Sequence, residues 1–266
     1  MIGTDGVDGW VSLEVSPLLA SDAASTLAEA VALHRQAHRP NLFIKIPGTP
    51  AGLPAITDAI FAGVPVNVTL LFSREQYLAA ADAYLRGVER RVEAGLDPGV
   101  ASVASVFISR WDRAVASAVG PKLTNRLGIA IAQQTYRAYR ELLDSARFQR
   151  LANAGVRPQR LLWASTGTKD PHASDVLYIS ALQAPFTINT MPEDTLLHFA
   201  EHGDLAEPMR ADGGDAESVL AQFAAAGVDY AALANRLQLE GAAAFVASWR
   251  ELLEVITTRR RALAAA

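Results

Sequence analysis

The sequence predicts an α/β protein built on a parallel sheet. Short strand-like runs rich in Val, Ile, Leu, Phe and Thr are separated by helical patterns, and an Ala-Gly-apolar tripeptide recurs after the helical segments. This alternation requires right-handed crossovers, as found in a doubly wound sheet or a barrel. The sequence has no GxGxxG or Walker motif, so a nucleotide-binding α/β fold is less favoured. A chain of 266 residues falls in the size range of one α/β barrel.

Six runs are predicted as strands: 10–16, 42–47, 64–71, 102–109, 160–165 and 185–189. Helices are predicted at 23–36, 53–62, 74–94, 121–154 with a break, and 174–182. Ser73 and Gln76 form a candidate capping box for the third helix. From about residue 192 the strands stop, and three helices are predicted at 216–226, 230–239 and 242–261. We therefore expect a single domain over 1–266, in which 192–266 is a mainly helical section packed on the barrel.

The recurring tripeptide supports the predicted helix ends. It occurs as Ala62-Gly63-Val64, Ala94-Gly95-Leu96, Ala154-Gly155-Val156 and Ala226-Gly227-Val228. Glycine suits the left-handed residue that follows a helix, and the next apolar residue can pack back on the last turn.

Composition excludes several classes of protein. No apolar run reaches the roughly 18 residues of a membrane span, and the first residues lack the features of a signal peptide. The absence of cysteine excludes disulfides and thiolate metal sites, and fits a cytoplasmic protein. A net charge of −4 with interspersed signs gives no reason to expect a nucleic-acid or membrane partner.

Lys45 is the first candidate for chemistry. It lies among Leu42, Phe43, Ile44 and Ile46 in a run that is predicted to be buried, where an ammonium group is costly unless it is paired or neutral. Only three of the 24 basic residues are lysines. A desolvated lysine can lose its proton and form a Schiff base, which arginine cannot do. The alternative is a structural lysine that reaches the strand end or pairs with a carboxylate.

Other polar residues fall near the carboxyl ends of predicted strands, where parallel α/β folds gather reactive groups. Glu14 interrupts the first run, where it either pairs with Lys45 or faces solvent. Asn67 and Thr69 share one face of the third strand because they are two residues apart.

The later strands add candidate anion contacts. Ser105 and Phe107 share a face of the fourth strand, and Arg110 follows as a candidate anion clamp or a surface partner. The turn from Ser165 to Lys169 is small and polar; it can hold a phosphate or form an ordinary loop with a solvated lysine.

Six ordered segments together resemble transaldolase in its longer bacterial form. They are VSLEVSP, FIKIPGTPAGLPAI, VNVTLLFS, ASVASVFISRWD, LLWASTGTKDP and TINTMPEDTL, and the resemblance runs from residue 8 to the C-terminal helices. It implies a (β/α)8 TIM barrel with about six of the eight parallel strands present. It also implies a class I enzyme of the pentose phosphate pathway that needs no metal or cofactor. The implied substrates are sedoheptulose 7-phosphate and glyceraldehyde 3-phosphate, which give erythrose 4-phosphate and fructose 6-phosphate through transfer of a dihydroxyacetone unit.

The resemblance assigns roles to the residues around the amine. Lys45 matches the family's Schiff-base lysine, and Glu14 matches the acid that acts through a water in forming and breaking the imine. Asn67 and Thr69 match residues that order the substrate and that water.

The resemblance also assigns the outer part of the site. Ser105 and Arg110 match a phosphate-binding serine and arginine, and Phe107 matches an aromatic residue that lines the site. Ser165 falls at a strand end that belongs to the active site in the family. We add Lys169 as a second phosphate contact, beyond what the resemblance assigns.

The beginning of the chain departs from the family pattern. The family barrel has two further strands before the first one predicted here, and they carry an aspartate and an asparagine of the site. Six strands cannot close an eight-stranded barrel, so two edges are expected to remain unpaired and to invite self-association. We interpret Met1 as a late start or truncation of a transaldolase-like gene. An inactive remnant that pairs with another chain, and a related Schiff-base aldolase that cleaves without transfer, are the alternatives.

Overall fold

A single parallel sheet organises the protein, as the sequence predicted. The computed structural model describes residues 2–4, 6–205 and 207–264. The six strands follow one another in chain order across the sheet. They are β1 Val11–Glu14, β2 Leu42–Pro47, β3 Val66–Leu71, β4 Ser102–Phe107, β5 Arg160–Ala164 and β6 Thr187–Asn189. All five neighbouring pairs are parallel, which confirms the α/β class and a barrel-like sheet of six strands.

Ten α-helices accompany these strands in the described part of the chain. They are α1 Ala23–Ala37, α2 Leu53–Phe61, α3 Arg74–Glu93, α4 Ser109–Val115, α5 Leu127–Asp144, α6 Ala146–Asn153, α7 Leu177–Ala181, α8 Glu193–His202, α9 Ala216–Ala225 and α10 Tyr230–Ala264. Short 3-10 helices occupy Ile2–Thr4 and Pro17–Leu19. None of the helices in these ranges is both long and apolar enough to cross a membrane.

One predicted strand end and two predictions about helices were wrong. Residue 109 does not end a strand, because Ser109 already begins α4. The helix predicted from residue 121 begins at Leu127, where the Asp112 carboxylate accepts hydrogen bonds from the Leu127 and Gly128 amides. The two helices predicted over 230–261 are one continuous helix, α10, so Gly241 does not interrupt it.

The tripeptide motif behaves as predicted. Its four glycines, Gly63, Gly95, Gly155 and Gly227, have φ between 67° and 94°. After α2, the Val64 amide reaches back to Ala59 O at 3.0 Å, and the same six-residue hydrogen bond recurs after α3, α6 and α9. Ser73 also caps α3 by accepting from the Gln76 amide at 3.2 Å, whereas the Gln76 side chain accepts from Phe72 N.

The sheet separates two apolar clusters. Alternate residues such as Ile44, Ile46 and Trp163 face the surrounding helices, whereas Phe43 and Val103 face the concave side of the sheet. Part of α10 packs on that concave side. The inward face of the sheet lines a chamber.

The two edges of the sheet differ from its centre. Within the described residues, β1 pairs only with β2 and β6 pairs only with β5. Val11 and Leu13 on β1 are 62% and 42% exposed, whereas every residue of β3 and β4 is buried. The predicted pair of unpaired edges is therefore present in this part of the chain.

Candidate active site

The inward-facing polar side chains of β2, β3 and β4 line one chamber. Its volume is about 820 Å³, and its lining includes Lys45, Asn67, Thr69, Ser105 and Phe107. Strand alternation accounts for this arrangement, because residues two apart on a strand point to the same side of the sheet. Five of the nine residues selected from the sequence therefore line this chamber.

Lys45 and Glu14 form an ion pair across β1 and β2. The two residues are direct neighbours in the parallel register, and Lys45 Nζ lies 2.6 Å from Glu14 Oε1. Their side chains are 23% and 36% exposed, so the pair is only partly removed from solvent. The pairing that the sequence offered as a structural alternative is therefore present. The same geometry lets a proton pass directly between the amine and the carboxylate.

A hydrogen-bonded chain of side chains crosses the chamber above β2. Ser105 Oγ donates to Asn67 Oδ1 at 2.6 Å, and Asn67 Nδ2 donates to Ser12 Oγ at 3.0 Å. Asn67 is therefore held at both ends of its amide and keeps one Nδ2 hydrogen for another acceptor. Ser12 was not among the residues selected from the sequence. Its position two residues before Glu14, on the same strand, was the available signal.

Thr69 offers a buried hydroxyl group beside the amine. Its side chain lines the large chamber and also a cavity of about 20 Å³ that Glu14 and Lys45 share. Thr69 Oγ1 has no hydrogen-bond partner among the described residues. A cavity of this size holds about one water, and the orphaned hydroxyl together with the ion pair supplies polar partners for it. The register between β3 and β4 shifts just after Thr69, where Leu70 has φ 59°.

Arg110 lies beyond the end of β4, in α4. Its guanidinium carbon lies 4.9 Å from the centre of the Phe107 ring. Burial lowers the pKa of Arg110, and the charge of Arg113 adds to that effect. A cation that is both desolvated and close to another cation favours an anionic partner. Ser105 contacts Asn67 instead, so its hydroxyl can bind a phosphate only by leaving that hydrogen bond.

Ser165 and Lys169 lie outside the lining of the chamber. Ser165 follows β5 with φ 56°, and its hydroxyl is 3.0 Å from Ser109 Oγ at the start of α4. Lys169 is exposed in the loop that follows. Ser109 was missed because the sequence placed it in a strand. The strand ends of β4 and β5 are held together here, because the Ser109 amide also donates to Ser165 O at 3.0 Å.

Comparison with known proteins decides the family. The family described as transaldolase/fructose-6-phosphate aldolase matches residues 1–256, nearly the whole chain. The chain belongs to the transaldolase/fructose-6-phosphate aldolase family.

Curated members of this family are similar to the chain along most of its length. A transaldolase of Parafrankia sp. (strain EAN1pec) is 47% identical over 260 residues, which cover 94% of this chain and 70% of that protein. A transaldolase of Acidothermus cellulolyticus is 47% identical over 262 residues, covering 96% of this chain and 70% of that protein. A transaldolase of Thermobifida fusca is 48% identical over 260 residues, covering 94% and 71%. The resemblance drawn from the six motifs and the transaldolase enzyme class are thereby confirmed.

Proposed function

We propose that Lys45 is the Schiff-base residue with which this transaldolase family member transfers a dihydroxyacetone unit between sugar phosphates. The observation that carries the proposal is the 2.6 Å contact between Lys45 Nζ and Glu14 Oε1 at the edge of a polar chamber. An amine that attacks a carbonyl must be neutral, and Glu14 is placed to take its proton. The pentose phosphate pathway and a cytoplasmic location remain predictions from the resemblance.

The imine forms in two balanced steps. The neutral Lys45 amine attacks C2 of a ketose phosphate, and the carbonyl oxygen becomes the hydroxyl of a carbinolamine. Glu14 then returns a proton to that hydroxyl, directly or through a water beside Thr69, and water leaves as the protonated imine forms. The water-sized cavity that Glu14, Lys45 and Thr69 share supports this assignment.

The protonated imine then acts as an electron sink. Glu14 is a carboxylate once it has returned its proton, and it accepts the C4 hydroxyl proton directly or through the same water. The C3–C4 bond then breaks, the aldose phosphate leaves as an aldehyde, and the bonding electrons become the enamine of the three-carbon unit. Attack of that enamine on the aldehyde of a second aldose phosphate reverses the sequence and gives a new ketose phosphate. Asn67 is placed to orient the hydroxyl groups of the retained unit, because it keeps a free Nδ2 hydrogen in the chamber.

The phosphate group is proposed to bind at the carboxyl ends of β4 and β5. Arg110 supplies the charge, the hydroxyls of Ser165 and Ser105 supply donors, and Lys169 adds a second cation from the loop after β5. The half-buried Arg110 guanidinium, whose pKa is lowered by burial and by the charge of Arg113, favours an anion in this position. Phe107 forms an apolar wall between this end and the chamber, as its place in the lining indicates.

Trapping with borohydride tests this proposal. The purified protein is reduced in the presence of fructose 6-phosphate, and the peptides are mapped by mass spectrometry. We expect an adduct on Lys45 and none on Lys122 or Lys169, which are both exposed and serve as internal controls. A folded sample that gives no Lys45 adduct, or a Lys45→Ala variant that gives the same adduct mass, would contradict the proposal.

The acceptor distinguishes transfer from simple cleavage. With fructose 6-phosphate and erythrose 4-phosphate together, transaldolase activity gives sedoheptulose 7-phosphate. Release of triose phosphate at the same rate without the acceptor would assign the chain to the aldolase alternative.

A further inference from the structure

The first part of α10 presents one face to the candidate active site. Leu233, Ala234 and Leu237 pack in the inner apolar cluster, and Gln238 and Gly241 are also buried. Positions separated by three, four and seven residues share a helix face, so Ala242 and Phe245 continue the same stripe. Both of these residues line the small cavity beside the ion pair. The stripe therefore runs from the apolar cluster to the reacting amine.

Gln238 fastens this face to the sheet. Its Nε2 donates to Gly48 O at 3.2 Å and to Leu70 O at 3.0 Å, so each amide hydrogen has its own carbonyl acceptor. These carbonyls belong to the chain just after β2 and to the irregular end of β3. Gln238 is 7% exposed, so both hydrogen bonds form away from solvent, where leaving a carbonyl unpaired is costly. The helix is thereby anchored beside both Lys45 and Thr69.

The backbone of α10 at Gly241 lies close to side chains of β3 and α4, which supports the same packing of α10 on the sheet. A Cβ at Gly241 would lie 2.9 Å from Leu70 Cδ2 and 3.2 Å from Arg110 Nη1. Glycine at this point lets α10 lie directly against β3 and α4. One turn later, the Phe245 ring centre is 5.7 Å from Lys45 Nζ.

We propose that Phe245, held in place through Gln238, is a positioning residue that closes the active site over Lys45 and stabilises its cationic imine. This inference rests on the proposed Schiff base. The protonated imine is a delocalised cation, and an aromatic face within about 6 Å attracts such a cation more strongly as water is excluded. Phe245 and Ala242 also form the apolar side of the small cavity, whose polar side consists of Glu14, Lys45 and Thr69. The amine is thus open to the large chamber and shielded on the side of α10.

Matched variants of the aromatic ring test the stabilisation of the imine. Phe245→Tyr keeps the aromatic face, whereas Phe245→Leu keeps apolar bulk without it. We expect the yield of borohydride-trapped imine at subsaturating fructose 6-phosphate to fall about fivefold in Phe245→Leu and to be restored in Phe245→Tyr. Leu239→Ala, at a neighbouring α10 position that is 73% exposed, is the control and should match the parent protein. Equal yields in Phe245→Leu and Phe245→Tyr, with equal melting temperatures, would overturn the inference.

A second measurement needs no sugar and therefore separates this inference from the proposed function. Trace labelling with acetic anhydride compares the reactivity of Lys45 with that of Lys122 and Lys169 in the same sample. We expect Phe245→Ala and Gln238→Leu to raise the relative labelling of Lys45 severalfold, because each opens the side of the site that α10 covers. Unchanged relative labelling in both variants would overturn the inference. If the parent protein forms no imine but the labelling rises, the Schiff-base proposal fails while the shielding by α10 stands.

Discussion

Ser105 donates its hydroxyl hydrogen to Asn67 Oδ1 over 2.6 Å, and this contact determines which atoms of Asn67 face a substrate. Both residues are buried, at 2% and 4% exposure, so neither group exchanges this partner for bulk water in the resting protein. With Ser12 accepting one Nδ2 hydrogen, the amide is left as a donor toward the chamber.

Removing the Ser105 hydroxyl should release Asn67. We expect Ser105→Ala to raise the fructose 6-phosphate concentration needed for half-maximal trapping of Lys45 and to cost about 1–2 kcal/mol of stability, because a buried carbonyl oxygen loses its donor. Ser105→Thr retains the hydroxyl and should preserve both properties more closely. Titration of adduct formation and urea unfolding measure the two effects; equal half-saturation in Ser105→Ala and the parent protein would contradict the first.

Replacing Glu14 with Gln should slow imine formation without unfolding the protein. The change retains size but removes the group proposed to exchange protons with the amine, so the initial rate of trapping should fall by about 10²–10⁴. The melting temperature should change little, because a partly exposed ion pair contributes only about 0–1 kcal/mol. Quenched-flow trapping measures the rate. General acid–base catalysis contributes at least about 10² to a rate. A trapping rate in Glu14→Gln within twofold of the parent rate would therefore remove Glu14 from the proposed mechanism.

The buried Asp112 carboxyl predicts a pH dependence of stability. Burial raises the pKa of Asp112 to about 6, although it accepts hydrogen bonds from Tyr178 and from two backbone amides. The folded protein thus holds this proton in a range where the unfolded chain, with an ordinary pKa near 3.8, has lost it. The proton on Asp112 therefore contributes roughly 3 kcal/mol to the free energy of unfolding below pH 3.8, and this contribution is lost as the pH rises to about 6.

Urea unfolding of the parent protein and Asp112→Asn checks this sign. Asn does not titrate, so the free energy of unfolding of the parent minus that of the variant should decrease from pH 4 to pH 6 and then level off. A difference that increases over this interval would show that the hydrogen bonds outweigh burial and that the folded carboxyl is ionised.

The open edge at β1 predicts self-association. Val11 and Leu13 expose apolar surface beside backbone groups that pair on one side only within the described residues. We expect Val11→Lys to reduce the concentration-dependent rise in molar mass measured by light scattering. Leu205→Lys, which places the same charge at a 76% exposed loop position, is the control. A similar reduction in both variants would indicate a general effect of charge.

The sequence predicted best those features that depend on local pattern. Strand alternation placed Asn67 and Thr69 on the same face of the third strand, and Ser105 and Phe107 on the same face of the fourth. The structure places all four around one chamber. The sequence also left two positions open for Glu14, paired with Lys45 or facing solvent, and the structure shows the ion pair.

Contacts between distant segments could not be predicted in this way. The hydrogen bond between Asn67 and Ser12 joins residues 55 positions apart. Gln238 and Phe245 looked like ordinary helix residues, since nothing in their local pattern indicates the strand ends on which α10 lies. The functional assignment of the nine selected residues stays a prediction until the trapping experiments are done.

The anchoring of α10 also has a consequence for biosynthesis. Gln238 lies 168 and 190 positions after the two carbonyls that it joins, so the ribosome makes Lys45 and its strand long before the helix that shields it. Contacts this distant in sequence form late and close slowly. The nascent chain therefore passes through a stage in which the segments of all six strands have been made but the helix that shields the lysine has not. During that interval the amine is open on its chamber side and on its α10 side, and docking of the final helix leaves it open to the chamber alone.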